Sequence, residues 1–240
     1  MKKSVVLFSG GLDSTTILYK AIIKDKTEPY PISFNYGQKH LFELKNAEKT
    51  IKRLNIPLDN WKIVNIDSNF FKNTALVEKN ISVPKGRDIN EEIPVTYVPA
   101  RNTLFLAYAV AYGEMIGAED IYIGVNAIDY SGYPDCREEF IESFEKTANL
   151  ATKIAIEGKF KFKINRPLIK LSKSDIIKLG MELNVDYSIT HSCYDPDNNG
   201  NPCGECDSCR LRIDGFNKAN LIDPTARTYS SKKYFPENWK

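Results

Sequence analysis

The sequence predicts an α/β protein built on a doubly wound, mostly parallel sheet, with a small metal-binding segment near its C-terminus. Three features support this fold class. Short apolar stretches of strand length alternate with longer stretches whose apolar residues recur at helical spacing, and this order of elements is typical of a parallel sheet. A glycine-rich turn follows the first apolar stretch, and four cysteines cluster towards the end of the chain.

The first predicted unit is a strand, a turn and a helix. Residues 3–8 form a short apolar run, residues 9–13 contain two glycines, and residues 14–24 carry apolar side chains on one helical face. In doubly wound sheets, ligands bind at the carboxyl ends of the strands, and the first strand-to-helix turn is the usual phosphate position. The turn is therefore the first candidate site.

The predicted alternation continues along the chain. Strands are expected at 32–35 and 61–66, separated by an amphipathic helix at 41–54 that ends before Pro57. Residues 67–99 have no clear period, which predicts a long loop.

The run at 101–116 is almost entirely apolar and predicts a buried helix. A strand at 121–125 and a helix at 140–151 are expected next. Alternating aromatic and apolar residues predict a further strand at 160–164.

The last part of the chain changes character. Ser172 and Asp175 have the spacing of a capping box that opens another helix. From residue 186 the sequence is irregular and cysteine-rich, with a last helix expected at 211–219. We therefore expect an α/β domain over 1–185 and a metal-binding segment over 186–240.

Composition and charge fit a cytoplasmic protein without a membrane or nucleic-acid partner. The chain is 42% apolar and 27% charged, which is ordinary for a globular protein, and its net charge of +2 does not indicate a polyanion partner. The longest apolar run, at 103–112, is too short to cross a bilayer. An odd count of five cysteines favours a reduced compartment and a metal over a disulfide framework.

The turn Ser9-Gly10-Gly11-Leu12-Asp13-Ser14 has the chemistry of a phosphate site. Glycines let the backbone approach phosphate oxygens, and the N–H groups and dipole of the following helix favour an anion. The hydroxyls of Ser9, Ser14 and Thr15 add donors, and Asp13 offers a carboxylate to Mg²⁺. The chain contains no Walker A pattern, and an ordinary strand-to-helix turn is the alternative. The pattern resembles the pyrophosphate loop of PP-loop ATP pyrophosphatases, which split ATP between its α and β phosphates and adenylate a substrate oxygen.

The cysteine cluster is spaced as a metal site. The turn-rich residues 197–202 can fold the first cysteine back onto the other three. Four thiolates form a closed tetrahedral zinc site of the structural kind. The C-x2-C-x2-C spacing also fits an iron–sulfur cluster, and unligated thiols are the remaining alternative. The expected ligands of one zinc ion per chain are Cys193, Cys203, Cys206 and Cys209.

Residues 129–137 combine aromatic, acidic and basic side chains at the predicted ligand edge of the sheet. A flat purine-like ring can stack on Tyr130 or Tyr133. A carboxylate such as Asp135 can accept from a guanine edge, and Arg137 can bind a carboxylate in bidentate fashion. A tight turn with a capping aspartate fits the segment equally well.

The whole chain is similar to the 7-cyano-7-deazaguanine synthase family of PP-loop enzymes. The matching motifs are residues 9–14, 36–38, 99–102, 129–137 and 167–176 and the four cysteines, in the family's order. The resemblance implies an adenine nucleotide alpha hydrolase-like fold, ATP, Mg²⁺, zinc and a homodimer. It also implies that 7-carboxy-7-deazaguanine and ammonia are converted to the nitrile 7-cyano-7-deazaguanine through adenylated carboxylate and amide intermediates.

The resemblance further implies roles for individual residues. Asp13, Ser14 and Lys170 are expected to be catalytic, with Lys170 neutralising charge on the phosphates. Arg101 and Arg137 are expected to bind the substrate carboxylate. The expected ring contacts are Tyr130, Tyr133 and Asp135. The expected ATP-binding residues are Phe8, Ser9, Gly10, Gly11, Leu12, Asp13, Ser14, Thr15, Thr16, Ile17 and Leu18.

Other functions fit parts of the sequence. A PP-loop tRNA-modifying enzyme of the thiolase or lysidine synthetase type would share the turn, but it should carry a basic tRNA surface. A zinc-ribbon module that binds nucleic acid would explain the cysteines but not the turn. His191 is either a reserve ligand or base or a structural histidine, and Cys136 is either a nucleophile or a packed side chain.

Overall fold

A computed structural model describes residues 1–38, 42–78, 80–87, 93–126 and 133–239. Within these ranges the chain forms one five-stranded sheet and seven α-helices. The strands are β1 (Lys3–Leu7), β2 (Glu28–Asn35), β3 (Lys62–Asn65), β4 (Asp120–Tyr122) and β5 (Lys163–Asn165). The helices are α1 (Leu12–Ile23), α2 (Phe42–Arg53), α3 (Arg101–Ile116), α4 (Glu138–Ala151), α5 (Lys153–Ile156), α6 (Lys173–Glu182) and α7 (Asp207–Lys218).

The sheet is parallel and doubly wound, which confirms the predicted fold class. Its strand order is β3-β2-β1-β4-β5, and each neighbouring pair runs parallel. Val5 of β1 lies opposite Tyr30 of β2 and Ile121 of β4. The chain therefore winds in both directions from β1, and the carboxyl end of β1 is the switch point at which such folds bind ligands.

Alternation along β1 supplies both faces of the sheet. Val5 and Leu7 belong to the core packed under α3 and α4, whereas Val6 belongs to the core packed under α1, α2 and α6. A third, smaller cluster contains the four grouped cysteines together with residues from the loop before α3 and from the C-terminal end.

The expectation that the helix at 101–116 is buried is wrong for one of its faces. Leu104, Tyr108 and Met115 are 37%, 44% and 72% exposed. A sequence that is apolar all round predicts burial on every side, but α3 packs only one face on the sheet. Within the described residues, no helix has the length and apolar character needed to cross a bilayer.

The last strand is shorter than its alternating pattern predicts. The backbone N–H of Phe162 donates to the Asn149 side-chain oxygen at 2.8 Å, and the Asn149 amide donates back to the Phe162 carbonyl at 2.9 Å. Because the side chain of Asn149 in α4 takes both backbone hydrogen bonds of Phe162, that residue does not pair with the sheet, and β5 begins at Lys163.

Candidate active site

The glycine turn packs directly against α2. Gly10 has a φ of 85°, and a Cβ there would lie 2.4 Å from the Glu43 carbonyl oxygen and 2.7 Å from the Ala47 nitrogen. Only glycine tolerates both the left-handed backbone and this contact. The close approach places the first turn of α2 beside the glycine turn.

The serines of the turn form one compact group of hydroxyls. The Ser9 and Ser14 hydroxyls lie 3.1 Å apart, and the Ser14 hydroxyl donates to the Gly11 carbonyl at 3.2 Å. The N-cap of α1 is Gly11, which has no side chain that could cap the first N–H groups of the helix. The first-turn N–H groups of α1 therefore adjoin two hydroxyl groups, an arrangement that suits an anion.

Asp13 is held by a lysine from α6. The Lys173 ammonium lies 2.8 Å from each Asp13 carboxylate oxygen, and the Lys173 side chain is only 8% exposed. Ser172 caps α6 by accepting from the Asp175 N–H, as the sequence predicts, and this cap puts Lys173 in the first turn. The pair brings a cation beside the glycine turn.

Lys170, the lysine expected to be catalytic, lies elsewhere. Its side chain is 75% exposed, and its ammonium pairs with Glu138 at 2.7 Å. The structure does not bring it to the described part of the cavity wall. Lys170 precedes Ser172, the N-cap of α6, and its side chain points to solvent. Lys173 is the first residue of α6, and its side chain points to Asp13 of α1.

A cavity opens above the glycine turn at the carboxyl ends of β1, β2 and β4. Its wall is completed by the first turns of α2 and α3 and by the cysteine segment. The sequence-predicted residues that line it are Phe8, Ser9, Gly11, Leu12, Asp13, Ser14, Arg101, Tyr133 and Cys193. We call this space the active-site cavity.

Several of the expected ATP-binding residues do not line the described wall. Gly10 is buried against α2, and Ile17 and Leu18 are fully buried in the core. The Thr16 hydroxyl donates to the Leu12 carbonyl at 2.9 Å and pairs with the Tyr187 hydroxyl at 2.8 Å. The Thr15 hydroxyl is buried and has no hydrogen-bond partner within the described structure. Residues 15–18 therefore pack in the core beneath the glycine turn and support it, rather than lining the cavity.

Arg101 enters the active-site cavity from the start of α3. Its guanidinium donates to the Tyr36 hydroxyl at 3.2 Å. The preceding residue, Ala100, has a φ of 52°, a left-handed conformation that non-glycine residues rarely adopt. The Asn102 N–H donates to the Asp135 carboxylate at 2.9 Å, which anchors the same helix start. These constraints fix the position of Arg101.

Glu43 reaches the cavity from α2, although no motif in the sequence marks it as a site residue. It lines the wall near Arg101, and burial raises the pKa of its carboxyl to about 7 although the Arg101 charge acts in the opposite direction. Among the described residues, none forms a hydrogen bond with this carboxylate. In the amphipathic pattern of α2, Glu43 is an ordinary polar position. Its place on the cavity wall follows from the close packing of Gly10 against α2, which the sequence pattern does not show.

The segment at 129–137 is only partly as expected. Tyr133 lines the cavity, and its hydroxyl lies 2.8 Å from that of Thr96. Asp135 instead caps the start of α3, and Arg137 is an exposed residue at the N-cap of α4; neither belongs to the described wall. Tyr130 lies outside the described residues.

Cys136 lines the cavity as a packed thiol. The Asn102 amide donates to its sulfur at 3.4 Å, and burial raises the pKa of the thiol to about 12. A thiol with so high a pKa is a poor nucleophile at neutral pH. This environment favours the packing interpretation over the nucleophilic one.

The four grouped cysteines form a buried site that fits a metal ion. Their sulfurs all lie within 4.8 Å of one another, with Cys193 and Cys206 at 4.0 Å and Cys203 and Cys209 at 3.9 Å. Tetrahedral coordination with bonds of about 2.3 Å spaces sulfurs about 3.8 Å apart. The N–H groups of Cys203 and Cys206 donate to the sulfurs of Cys193 and Cys203 at 3.2 and 3.3 Å, which favours the ionised form.

The metal segment is joined to the glycine turn. The His191 N–H donates to the Gly10 carbonyl at 3.0 Å, and the Leu12 N–H donates to the Ser192 hydroxyl at 3.4 Å. Cys193 is at once one of the grouped cysteines and part of the cavity wall. A metal held by the cysteines would therefore brace the turn through the segment that carries Cys193.

Fold and site together define an α/β enzyme of the PP-loop type, with its glycine turn at the switch point of a 3-2-1-4-5 sheet and four clustered cysteines beside it that could hold a metal. The chain belongs to the family described as queuosine biosynthesis protein QueC, whose model matches residues 3–220. This confirms the resemblance seen in the sequence.

Relatives match over almost the whole chain. The chain is 53% identical over 231 residues to the 7-cyano-7-deazaguanine synthase of Pelobacter propionicus, covering 96% of this chain and 99% of that one. It is 52% identical over 225 residues to the protein of the same name from Syntrophotalea carbinolica, covering 94% and 96%. Among solved structures, NMN synthetase from Francisella tularensis is 16% identical with a TM-score of 0.47, covering 92% of this chain and 78% of that one.

Proposed function

We propose that this protein converts 7-carboxy-7-deazaguanine and ammonia into 7-cyano-7-deazaguanine, using ATP to adenylate the substrate twice. The observation that supports this best is that one cavity is lined by both the glycine turn and the half-buried Arg101. A turn suited to pyrophosphate and a cation suited to a carboxylate are the two binding functions that adenylation of an acid requires.

The chemistry follows from the weakness of a carboxylate as an electrophile. Transfer of AMP to a carboxylate oxygen provides a leaving group, ammonia displaces AMP, and an amide forms. A second transfer, to the amide oxygen, lets that oxygen leave with AMP as the nitrile forms. Residues 9–14 hold the departing pyrophosphate in both steps, and Lys173 and Arg101 offset the negative charge that develops.

Substrate binding is proposed for the residues that line the cavity. Arg101 binds the substrate carboxylate, and the Tyr133 ring stacks on the deazapurine. The ring contact expected of Tyr130 stays a prediction, because that residue lies outside the described ranges. The contacts expected of Asp135 and Arg137 find no support, because Asp135 is occupied by the Asn102 N–H and Arg137 is exposed.

Magnesium and zinc are the proposed metals. Each Asp13 oxygen accepts one contact from Lys173 and keeps a further lone pair for Mg²⁺ carried in with ATP. Zinc suits a closed site of four buried thiolates whose spacing matches tetrahedral coordination. A closed site leaves no position for substrate, so zinc would stabilise the fold and brace the turn.

Assembly and location are proposed from the surface and the cysteine content of the chain. The exposed apolar face of α3 supports a homodimer, and Tyr108→Glu on that face should convert it to a monomer in sedimentation experiments. Five free thiols support a reduced compartment such as the cytoplasm.

The amide provides the sharpest test of the proposed function. Supplied directly, 7-amido-7-deazaguanine should become the nitrile without ammonia and with half the ATP used per nitrile from the acid, giving AMP and pyrophosphate. Asp13→Ala and Ser14→Ala should abolish most turnover without unfolding the chain. Equal ATP use from acid and amide would contradict two adenylations, and a requirement for tRNA would favour a tRNA-modifying enzyme instead.

A further inference from the structure

The proposed reaction needs a nucleophile that is mostly unavailable at neutral pH. Dissolved ammonia is then chiefly ammonium, which has no lone pair and cannot attack a carbonyl carbon. An enzyme that uses this abundant form must attract a cation and take a proton from it close to the activated carboxyl. A carboxylate on the cavity wall is the side chain that can do both.

The described cavity wall contains two carboxylates, Asp13 and Glu43. Both oxygens of Asp13 lie 2.8 Å from the Lys173 ammonium, so that group is already paired with a cation. The Glu43 carboxylate forms no hydrogen bond with any described residue. Because the remaining lone pairs of Asp13 are the ones proposed for Mg²⁺, Glu43 is the carboxylate of the described wall that is left to receive ammonium.

The surroundings of Glu43 fit this role. Among the described residues, Arg101 from α3 is the charged group that acts on it. The Tyr36 phenol, just after β2, also interacts with it, and because burial raises the pKa of Tyr36 this group is neutral at pH 7. The Arg101 charge keeps a fraction of the carboxyl ionised, whereas burial shifts its pKa upward to about 7, where a group can both accept and release a proton. Arg101 is also the proposed anchor of the substrate carboxylate.

We propose that Glu43 binds ammonium in the active-site cavity and accepts its proton before the nitrogen attacks the adenylated carboxyl. This inference rests on the proposed function. One ammonium proton passes to Glu43, and the freed lone pair forms the C–N bond. The bond from the carbonyl carbon to the AMP oxygen then breaks, a second proton leaves the nitrogen for water, and the amide and AMP remain.

Three assays separate this step from the rest of the reaction. The first follows nitrile formation from the acid with ammonium. The second starts from the amide and needs no ammonium. The third replaces ammonium with hydroxylamine, which is uncharged at neutral pH and should trap the adenylated acid as a hydroxamate without help from a base.

Glu43→Gln keeps the size of the side chain and removes the proton acceptor. We expect it to slow the first assay by at least about 10²-fold and to leave the other two within about threefold of the unmodified protein. Raising the pH should partly restore the first assay, because the fraction of free ammonia rises. Glu48→Gln is the matched control, since Glu48 lies on the exposed side of α2 and pairs with Lys52 at 2.6 Å; all three assays should be unchanged.

The outcomes distinguish two failures. Equal losses in all three assays, or no loss in the first, would overturn the role of Glu43 while the unmodified protein still makes the nitrile. Failure of the unmodified protein to convert acid or amide would overturn the proposed function and the ammonium site with it.

Discussion

Replacing Gly10 with alanine tests how far the phosphate turn depends on its contact with α2. Two costs arise at this position. The backbone has a φ of 85°, and a left-handed alanine costs about 1–2 kcal/mol. The new Cβ would also lie 2.4 and 2.7 Å from two backbone atoms of α2, and overpacking of this kind costs about 1–3 kcal/mol. We expect Gly10→Ala to lower the free energy of unfolding by about 2–5 kcal/mol.

Gly117→Ala is the matched control. Gly117 ends α3 with a φ of 72°, and a Cβ there would meet no atom within 4 Å. The control carries the same backbone penalty of about 1–2 kcal/mol without the steric one. Urea unfolding of both variants, followed by circular dichroism, therefore isolates the contact between the turn and α2.

The activities of the two variants should diverge further than their stabilities. Relief of the clash moves the turn relative to α2 and strains the hydrogen bond from the His191 N–H to the Gly10 carbonyl. A misplacement of about 1 Å costs roughly 10²-fold in rate, so folded Gly10→Ala protein should lose most nitrile formation while Gly117→Ala retains it. Equal stability losses, combined with normal turnover of Gly10→Ala, would refute the argument.

Three further predictions concern the metal site, the lysines and the buried ion pair. Cys206→Ala should reduce stability more than it reduces turnover of the folded fraction, and metal analysis should find one zinc per chain; stoichiometric iron would contradict this. Lys173→Ala should lower turnover, whereas Lys170→Ala should change the activation free energy by less than about 0.5 kcal/mol, and equal effects would restore the catalytic role expected of Lys170. Burial by itself raises the pKa of Asp223, but the Arg212 guanidinium at 2.7 Å outweighs it and leaves that pKa below its usual value. The pair therefore stabilises the fold above about pH 4 and loses this effect as the pH falls through the lowered pKa. Asp223→Asn should cost about 3–5 kcal/mol at pH 7 and flatten the acid side of a stability curve; an unchanged curve would contradict the assignment.

Short-range patterns were sufficient for the fold class and for locating the glycine turn and the cysteine cluster. The alternation of strands and helices predicts a parallel sheet because each pattern reports which face of an element is buried. The glycine turn and the cysteine spacing are similarly local, since phosphate binding uses consecutive backbone N–H groups. The proposed division of the chain at residues 185 and 186 stays a prediction.

Short-range sequence patterns do not predict which side chains of distant elements come into contact. Residues 170 and 173 are both lysines, and only the start of α6 at Lys173 decides which ammonium meets Asp13. Asp135 looks like a substrate ligand until α3 presents an N–H to it.

By itself, then, the sequence determined the architecture, the glycine turn and the clustering of the four cysteines, because residue type and spacing act within one element or one loop. The tertiary structure alone decided which side chains share the cavity. Glu43 stands 33 residues beyond the glycine at position 10, and it meets the turn only because that glycine leaves room for α2. A shift of one residue turns a helix by roughly 100°, so the pattern that correctly predicts a helix still leaves the partner of each polar side chain to packing.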